Sequence, residues 1–248
     1  SMEIRLFLSV IFAAFGSMAV YGFGGRRRDA DVQSKSGQLL GGKADFILHW
    51  FMWLMEPITR GSIRLGLTAD FYNWVGLVLG AGSGALIAFG HLELAGWAIA
   101  LSGVADIMDG RVSRATGKTS VYGDFIDSTL DRYIEVAMFA GMVYFYGNKG
   151  PGAMLAIAAL SFSMIVSYAR ARGEVHGVNC TGGLMQRGER LALLCLLCLS
   201  GRAIDHLMHK PEGTVLMIGV GVIAAASCYT AIYRTVWIAR ELRRRERE

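Results

Sequence analysis

Four stretches of about 20 residues without a charged side chain constrain the fold of this 248-residue chain more than any other feature. They span residues 6–25, 71–90, 150–169 and 213–233. A helix of about 20 apolar residues crosses the hydrocarbon core of a bilayer. Three shorter apolar runs are flanked or interrupted by charge, as expected of membrane helices that line a site, and they span 94–105, 133–147 and 191–201. We therefore predict an all-α integral membrane protein.

The chain divides into two predicted parts near residue 43. Residues 1–43 are predicted to form an N-terminal transmembrane anchor and a polar linker. Residues 44–248 are predicted to form the main domain, with a juxtamembrane amphipathic helix over 45–64 and six transmembrane helices from residue 69. The mixture of aromatic and basic residues in 45–64 is typical of a helix in the membrane interface, and an ordinary buried helix is the alternative.

Lysine and arginine fall mostly on one side of the predicted helices, the side that includes residues 106–131. Positive residues mark the cytoplasmic side, so we expect a protein of the inner membrane with these residues facing the cytoplasm. The net charge of +5 then reflects attraction to anionic membrane lipid rather than binding of nucleic acid.

Four aspartates lie where two apolar runs end and begin. Asp106 and Asp109 are three residues apart, and Asp127 and Asp131 are four apart, so on helices each pair shares one face. Two helices that enter the membrane from the same side would bring the four carboxylates together. Such carboxylates repel each other and need a hard divalent cation between them, and two ions suit this charge. The alternative is ordinary charge at the end of a membrane helix.

The residues between the two pairs suit a phosphate ligand. Gly110 allows a close approach to the backbone, and Arg114 offers a planar, charged fork to phosphate oxygens. Gly117 and Gly123 are predicted to mark the turn between the helices. Arg132 is interpreted as the structural partner of a nearby carboxylate.

This stretch resembles the signature of the CDP-alcohol phosphotransferase family, Asp-x2-Asp-Gly-x2-Ala-Arg, a spacer, then Gly-x3-Asp-x3-Asp. Seven of the eight fixed positions match, and Ser113 replaces the usual alanine. The positions are Asp106, Asp109, Gly110, Ser113, Arg114, Gly123, Asp127 and Asp131. A second segment resembles the family's Gly-x-x-Pro-Asn, with Ala69 and Asp70 at the last two positions, which leaves the contacts to cytidine undefined.

The resemblance implies an enzyme of phospholipid biosynthesis that transfers a phosphatidyl group from CDP-diacylglycerol, or a similar CDP-linked lipid, and releases CMP. It implies Mg²⁺ or Mn²⁺ as cofactor, held by Asp106, Asp109, Asp127 and Asp131, with Asp131 also the candidate general base. The CDP-linked lipid is expected at Asp106, Asp109, Gly110, Ser113, Arg114, Gly123 and Asp127. We also expect a homodimer.

Four arginines outside the signature favour a phosphorylated polyol as acceptor, because phosphate needs several charge-assisted donors. They are Arg170, Arg172, Arg190 and Arg234. Their alternative role is to set the membrane topology. The segment from Ser167, followed by Arg190, resembles the branch that uses inositol phosphate to make phosphatidylinositol phosphate, although residues 185–188 depart from it.

Other functions stay open at this point. Phosphatidylglycerophosphate synthase, or another CDP-alcohol phosphotransferase, is the alternative enzyme. A cation transporter is the alternative outside enzymes, but transporters usually show repeats and broken helices, and the sequence shows neither.

Overall fold

The computed structural model describes residues 17–18, 21, 45–147 and 150–247. Seven α-helices with defined bounds and no β-strand occur in this part of the chain. The helices are α1 Asp45–Arg64, α2 Ala69–Ala88, α3 Leu92–Ala115, α4 Val121–Tyr146, α5 Gly152–Val175, α6 Arg187–Leu207 and α7 Thr214–Arg245. The predicted all-α class is confirmed for these residues. The predicted anchor over 6–25 lies outside them, apart from residues 17, 18 and 21.

The described residues divide into two units, one before Ala69 and one from Ala69 onward. In the first unit, α1 buries Trp50 and Met55 and exposes Trp53 and Ile58, the amphipathic pattern that the sequence predicts. The indole Nε1 of Trp50 donates a hydrogen bond to Ser17 Oγ at 3.1 Å. Placement of α1 at the membrane surface stays a prediction.

The second unit is a closed ring of six helices. Neighbours in the ring run in the order α2, α3, α6, α7, α5, α4 and back to α2. One apolar cluster takes side chains from all six helices, among them Ile87, Met138, Leu194 and Val220. The ring therefore brings α3, α4 and α6, which carry most of the predicted site, against a shared core.

Three helices of the ring are long and apolar enough to cross a membrane: α2, α5 and α7. The other three carry the four aspartates, Arg114 and Arg190 of the predicted site, and these charges lower their average hydropathy. The composition thus supports a membrane protein without fixing the number of spans.

Helix α2 contacts both helices that carry the aspartates. On α3, Ser102 Oγ donates to the carbonyl of Gly76 at 2.8 Å. On α4, Gly141 lies against Gly84 so closely that a Cβ on either glycine would collide with the backbone of the opposite helix. This close approach leaves no room for side chains between α2 and α4 at this point.

The chain reverses between α3 and α4 over residues 116–120. Gly117 has a φ of +66°, a conformation that glycine adopts without strain. Ser120 caps α4 by accepting a hydrogen bond from the amide of Gly123 at 3.0 Å. Gly123 therefore lies in the first turn of α4, and the prediction that it marks the turn itself was wrong.

Candidate active site

Three of the four predicted aspartates lie close together. Asp106, Asp109 and Asp127 each offer a carboxylate oxygen, and these oxygens all lie within 4.8 Å of one another. Asp109 is buried, and its carboxylate accepts a hydrogen bond from the amide of Gly110. The spacing of three residues on α3 turns Asp106 and Asp109 to one face, and that face meets Asp127 on α4.

Asp131 lies one turn further along α4 and lines the same cleft. Its side chain is 11% exposed and forms an ion pair with Arg187 at the start of α6. The structure therefore places all four aspartates in one cleft. Asp106, Asp109 and Asp127 form a close cluster, and Arg187 pairs with Asp131 and with one member of that cluster, Asp106.

Neutral side chains of α2, α3 and α4 form the remaining wall of the cleft. They are Tyr72, Asn73, Gly76, Ser102, Leu130 and Ile134. Asn73 is almost fully buried beside the aspartates. It was not among the predicted site residues. The available signal was an amide side chain in a mainly apolar helix, three residues after Asp70 and therefore on the same face.

Arg187 is the main functional candidate that sequence reasoning missed. Its Nη1 donates to Asp106 Oδ1 at 2.8 Å, and its Nη2 pairs with Asp131. The two partners lie 81 and 56 positions away in the sequence, so no local pattern indicates the contact. Its position three residues before Arg190, on the same face of α6, was the available signal.

The glycine and arginine of the signature lie together at the end of α3. A Cβ added to Gly110 would lie 3.0 Å from Nη1 of Arg114, so the absence of a side chain leaves room for this guanidinium. Ser113 Oγ donates to the carbonyl of Lys118 at 3.2 Å and so supports the turn. Arg114 is exposed at the mouth of the ring, where a phosphate could reach it.

Two of the arginines predicted to bind the acceptor are buried and already hydrogen-bonded. Arg190 donates through Nε and Nη2 to Glu135 Oε1 at 3.0 and 2.5 Å, and through Nη1 to the carbonyl of Met185 at 3.0 Å. The guanidinium of Arg234 donates to the carbonyls of Gly182, Val166 and Thr181 at 2.9, 3.3 and 3.4 Å.

The other two predicted acceptor arginines are exposed on α5. Arg170 pairs with Glu174 at 2.8 Å, and Arg172 lies in the last turn of the helix. The four predicted acceptor arginines are therefore two exposed side chains on α5 and two buried side chains that already have structural hydrogen bonds.

Arg132 has the structural role that its sequence position predicts. Its Nη1 pairs with Glu135 Oε2 at 2.8 Å and donates to Ser167 Oγ at 2.5 Å. Glu135 thus accepts from two arginines, one on its own helix and Arg190 on α6.

A family model for CDP-alcohol phosphatidyltransferases matches residues 67–237, more than half of the chain. The chain belongs to this family. The matched range begins just before α2 and ends within α7, so it includes the whole cleft. The predicted family and the predicted class of enzyme, a CDP-alcohol phosphotransferase, are both confirmed.

Curated relatives of the family cover most of this chain. The phosphatidylinositol phosphate synthase of Cutibacterium acnes is 31% identical over 194 residues, which are 75% of this chain and 93% of the relative. The synthase of the same name from Streptomyces avermitilis is 34% identical over 200 residues, 77% and 80% of the two chains. The archaetidylinositol phosphate synthase of Methanothermobacter thermautotrophicus is 30% identical over 193 residues, 76% and 94%.

Solved structures show the same fold. The phosphatidylinositol phosphate synthase of Mycobacterium tuberculosis in complex with manganese and citrate is 29% identical to this chain, with a TM-score of 0.63 over 73% of this chain and 88% of that one. The same synthase with CDP-DAG bound is 27% identical, with a TM-score of 0.64 over 73% and 92%.

Proposed function

We propose that this enzyme transfers the phosphatidyl group of CDP-diacylglycerol to inositol phosphate and releases CMP. The observation that carries the proposal is the convergence of Asp106, Asp109 and Asp127 within 4.8 Å, in a chain of this family. Its relatives named phosphatidylinositol phosphate synthase support inositol phosphate as the acceptor. A synthase of that name binding CDP-DAG supports the donor.

The aspartate cluster suits Mg²⁺ or Mn²⁺, and we propose two ions. Its donor set is entirely carboxylate oxygen, which hard divalent cations prefer. The ligand oxygens of Asp106, Asp109 and Asp127 lie near enough that small side-chain rotations would bring them round one ion. Asp131 completes the proposed set. When bound, the metal supplies positive charge against the pyrophosphate of the CDP-linked lipid.

Asp131 is the proposed general base. In the reaction, the acceptor hydroxyl oxygen bonds to the phosphatidyl phosphorus, and the bond from that phosphorus to the oxygen of CMP breaks. The hydroxyl proton moves to a carboxylate oxygen of Asp131, which lines the cleft next to the cluster. Holding the two substrates in line and offsetting their charge should provide most of the acceleration.

The mouth of the cleft is the proposed site for the rest of the CDP-linked lipid. Arg114 would hold a phosphate there, since its guanidinium is exposed beside Gly110. Ser113 lies in the last turn of α3 and Gly123 in the first turn of α4, and both would contact the same ligand.

We also propose that the acceptor phosphate binds among Arg170, Arg172, Arg190 and Arg234. A guanidinium has five N–H donors, and the described contacts of Arg190 and of Arg234 use three each. Both buried arginines therefore keep donors for a phosphate. The exposed pair on α5 would complete the pocket.

A panel of acceptors tests the proposal on the purified, metal-loaded full chain. CMP release from CDP-diacylglycerol is measured with inositol phosphate, glycerol phosphate, inositol, glycerol and serine. We expect inositol phosphate to give the highest kcat/KM. Preference for glycerol phosphate would identify a phosphatidylglycerophosphate synthase, and preference for an unphosphorylated acceptor would refute the phosphate pocket.

Within the pocket, Arg172 offers the cleanest substitution because it is exposed. A charge-assisted contact contributes about 1.5–3 kcal/mol, so Arg172→Gln should raise the acceptor KM by roughly tenfold or more and leave the KM for the CDP-linked lipid unchanged. The control is Arg202→Gln, at the opposite end of α6. Equal effects on both KM values would contradict the assignment.

We propose further that residues 44–248 form a six-helix transmembrane domain in the inner membrane, with the cleft open to the cytoplasm. The lysine and arginine distribution supports this orientation. The homodimer and the separate N-terminal anchor of residues 1–43 remain predictions. Labelling of single cysteines introduced near Lys118 and near Lys210, with a membrane-impermeant reagent on intact cells, would test the orientation.

A further inference from the structure

Arg187 joins the two halves of the aspartate cleft. Its guanidinium pairs with Asp106 on α3 and with Asp131 on α4. It therefore contacts one aspartate of the close cluster of three and the aspartate outside that cluster.

Apart from its two aspartate partners, the surroundings of Arg187 are unfavourable for a positive charge. Arg187 is the first residue of α6, where the partial positive charge of the helix terminus disfavours a cation. Its side chain is only 18% exposed, and its Nε is a buried donor without a hydrogen-bond partner among the described residues. Burial and the helix terminus both oppose the charge, so the carboxylates of Asp106 and Asp131 must compensate for both effects.

The backbone before Arg187 is held in place independently of the aspartates. The amides of Leu184 and Met185 both donate to Thr230 Oγ1 on α7 at 3.2 Å. Gln186 and Glu189 form a reciprocal capping box at the start of the helix. These hydrogen bonds fix the backbone at Arg187, so the fold itself places the guanidinium in the cleft.

We propose that Arg187 is a positioning residue that acts as an internal counter-cation of the cleft. In the metal-free enzyme it holds Asp106 and Asp131 and offsets their repulsion. A divalent metal that binds Asp106 competes with the guanidinium for this carboxylate, so Arg187 lowers the affinity of the site for metal. This inference rests on the proposed metal dependence.

The test is the affinity of the purified full chain for Mn²⁺ without lipid substrate, measured by isothermal titration calorimetry. Removal of a positive charge beside the metal should lower the Kd for Mn²⁺ by roughly tenfold or more in Arg187→Gln. Arg187→Lys keeps the charge and should stay near the wild-type Kd. Arg202→Gln is the matched control, because Arg202 also joins two carboxylates, Glu93 and Glu212, both at 3.4 Å.

Thermal unfolding gives a second measurement that does not depend on activity. Without metal, Arg187→Gln should melt at a lower temperature than the wild type, because Asp106 and Asp131 lose their counter-cation. Saturating Mn²⁺ should raise its Tm by more than it raises the wild-type Tm, since a tighter ligand stabilises more. If Arg187→Gln does not fold, Arg187→Met keeps the side-chain length and is measured in its place.

A folded variant without the arginine whose Kd for Mn²⁺ is unchanged or higher would overturn the inference. A lower Kd in Arg187→Lys as well would also overturn it, because the charge would then not be responsible. Absence of Mn²⁺ binding in the wild type and in every variant would overturn the proposed metal site together with this inference. If Mn²⁺ binds and Arg187→Gln does not change its Kd, the inference about Arg187 is overturned and the proposed metal site is not.

Discussion

The buried ion pair between Arg190 and Glu135 makes the sharpest prediction about stability. Each side chain is 1% exposed, and Arg190 donates two hydrogen bonds to the same carboxylate oxygen. The other oxygen of Glu135 pairs with Arg132 at 2.8 Å. Loss of one partner of a buried pair costs about 3–5 kcal/mol, because the remaining charge stays buried without compensation.

Removal of Arg190 and removal of Glu135 should cost different amounts of unfolding free energy within this range. In Arg190→Met, Glu135 keeps Arg132 as its partner, so we expect a loss of about 3 kcal/mol, at the lower end of the range. In Glu135→Leu, both arginines lose their carboxylate, so we expect a loss of about 5 kcal/mol. The double variant should lose less than the sum of the two single variants, because it removes both members of the pair.

Reversible unfolding in mixed detergent micelles, followed by tryptophan fluorescence, measures these free energies. The control is Arg170→Met, which breaks a pair whose side chains are 50% and 42% exposed and should cost no more than about 1 kcal/mol. If Arg190→Met loses no more stability than this control, the buried pair does not stabilise the fold as argued. The result also determines whether a loss of activity at Arg190 can be assigned to the acceptor.

Three further predictions concern the cleft and the helix ring. Asp109→Asn should abolish CMP release and weaken Mn²⁺ binding. Full chelation of metal from the wild-type enzyme should also abolish CMP release, and turnover by enzyme verified to be metal-free would contradict the metal site. Asp131→Asn should abolish CMP release while binding of CDP-diacylglycerol persists, and an equal loss of binding would make Asp131 chiefly a metal ligand. Gly141→Leu should separate α2 from α4 and lower the Tm. Gly103→Leu should change the Tm little, because no described residue lies within 4 Å of its Cβ position.

The sequence predicted the chemistry of the cleft because spacing along a helix is local information. The spacing of three residues from Asp106 to Asp109 places both on one face wherever the helix lies. A second pair of aspartates at helical spacing, Asp127 and Asp131, begins the next apolar run, and Asp127 was therefore predicted to join the same site. The structure then places these three carboxylates within 4.8 Å of one another.

The partners of the buried arginines could not be predicted in the same way. Arg190 was interpreted as a phosphate ligand because it is a cation near the end of an apolar run. Its partner Glu135 lies 55 positions earlier on α4, and only the packing of α4 near α6 brings the two together. The collision that a Cβ at Gly84 or Gly141 would cause is likewise a property of two helices in contact.

Two similar ion pairs join α4 to α6, Asp131–Arg187 and Glu135–Arg190, and they differ in their access to the cleft. Asp131 and Glu135 lie one turn apart on α4, and Arg187 and Arg190 lie nearly one turn apart on α6, so the two pairs form consecutive rungs between the helices. The Glu135 rung is sealed from solvent, and exchange of its partners would leave a charge buried. The Asp131 rung opens into the cleft, where a metal or a substrate can replace either partner. The buried Glu135–Arg190 pair thus joins α4 to α6 about one turn from Arg187, whose guanidinium contacts the aspartates.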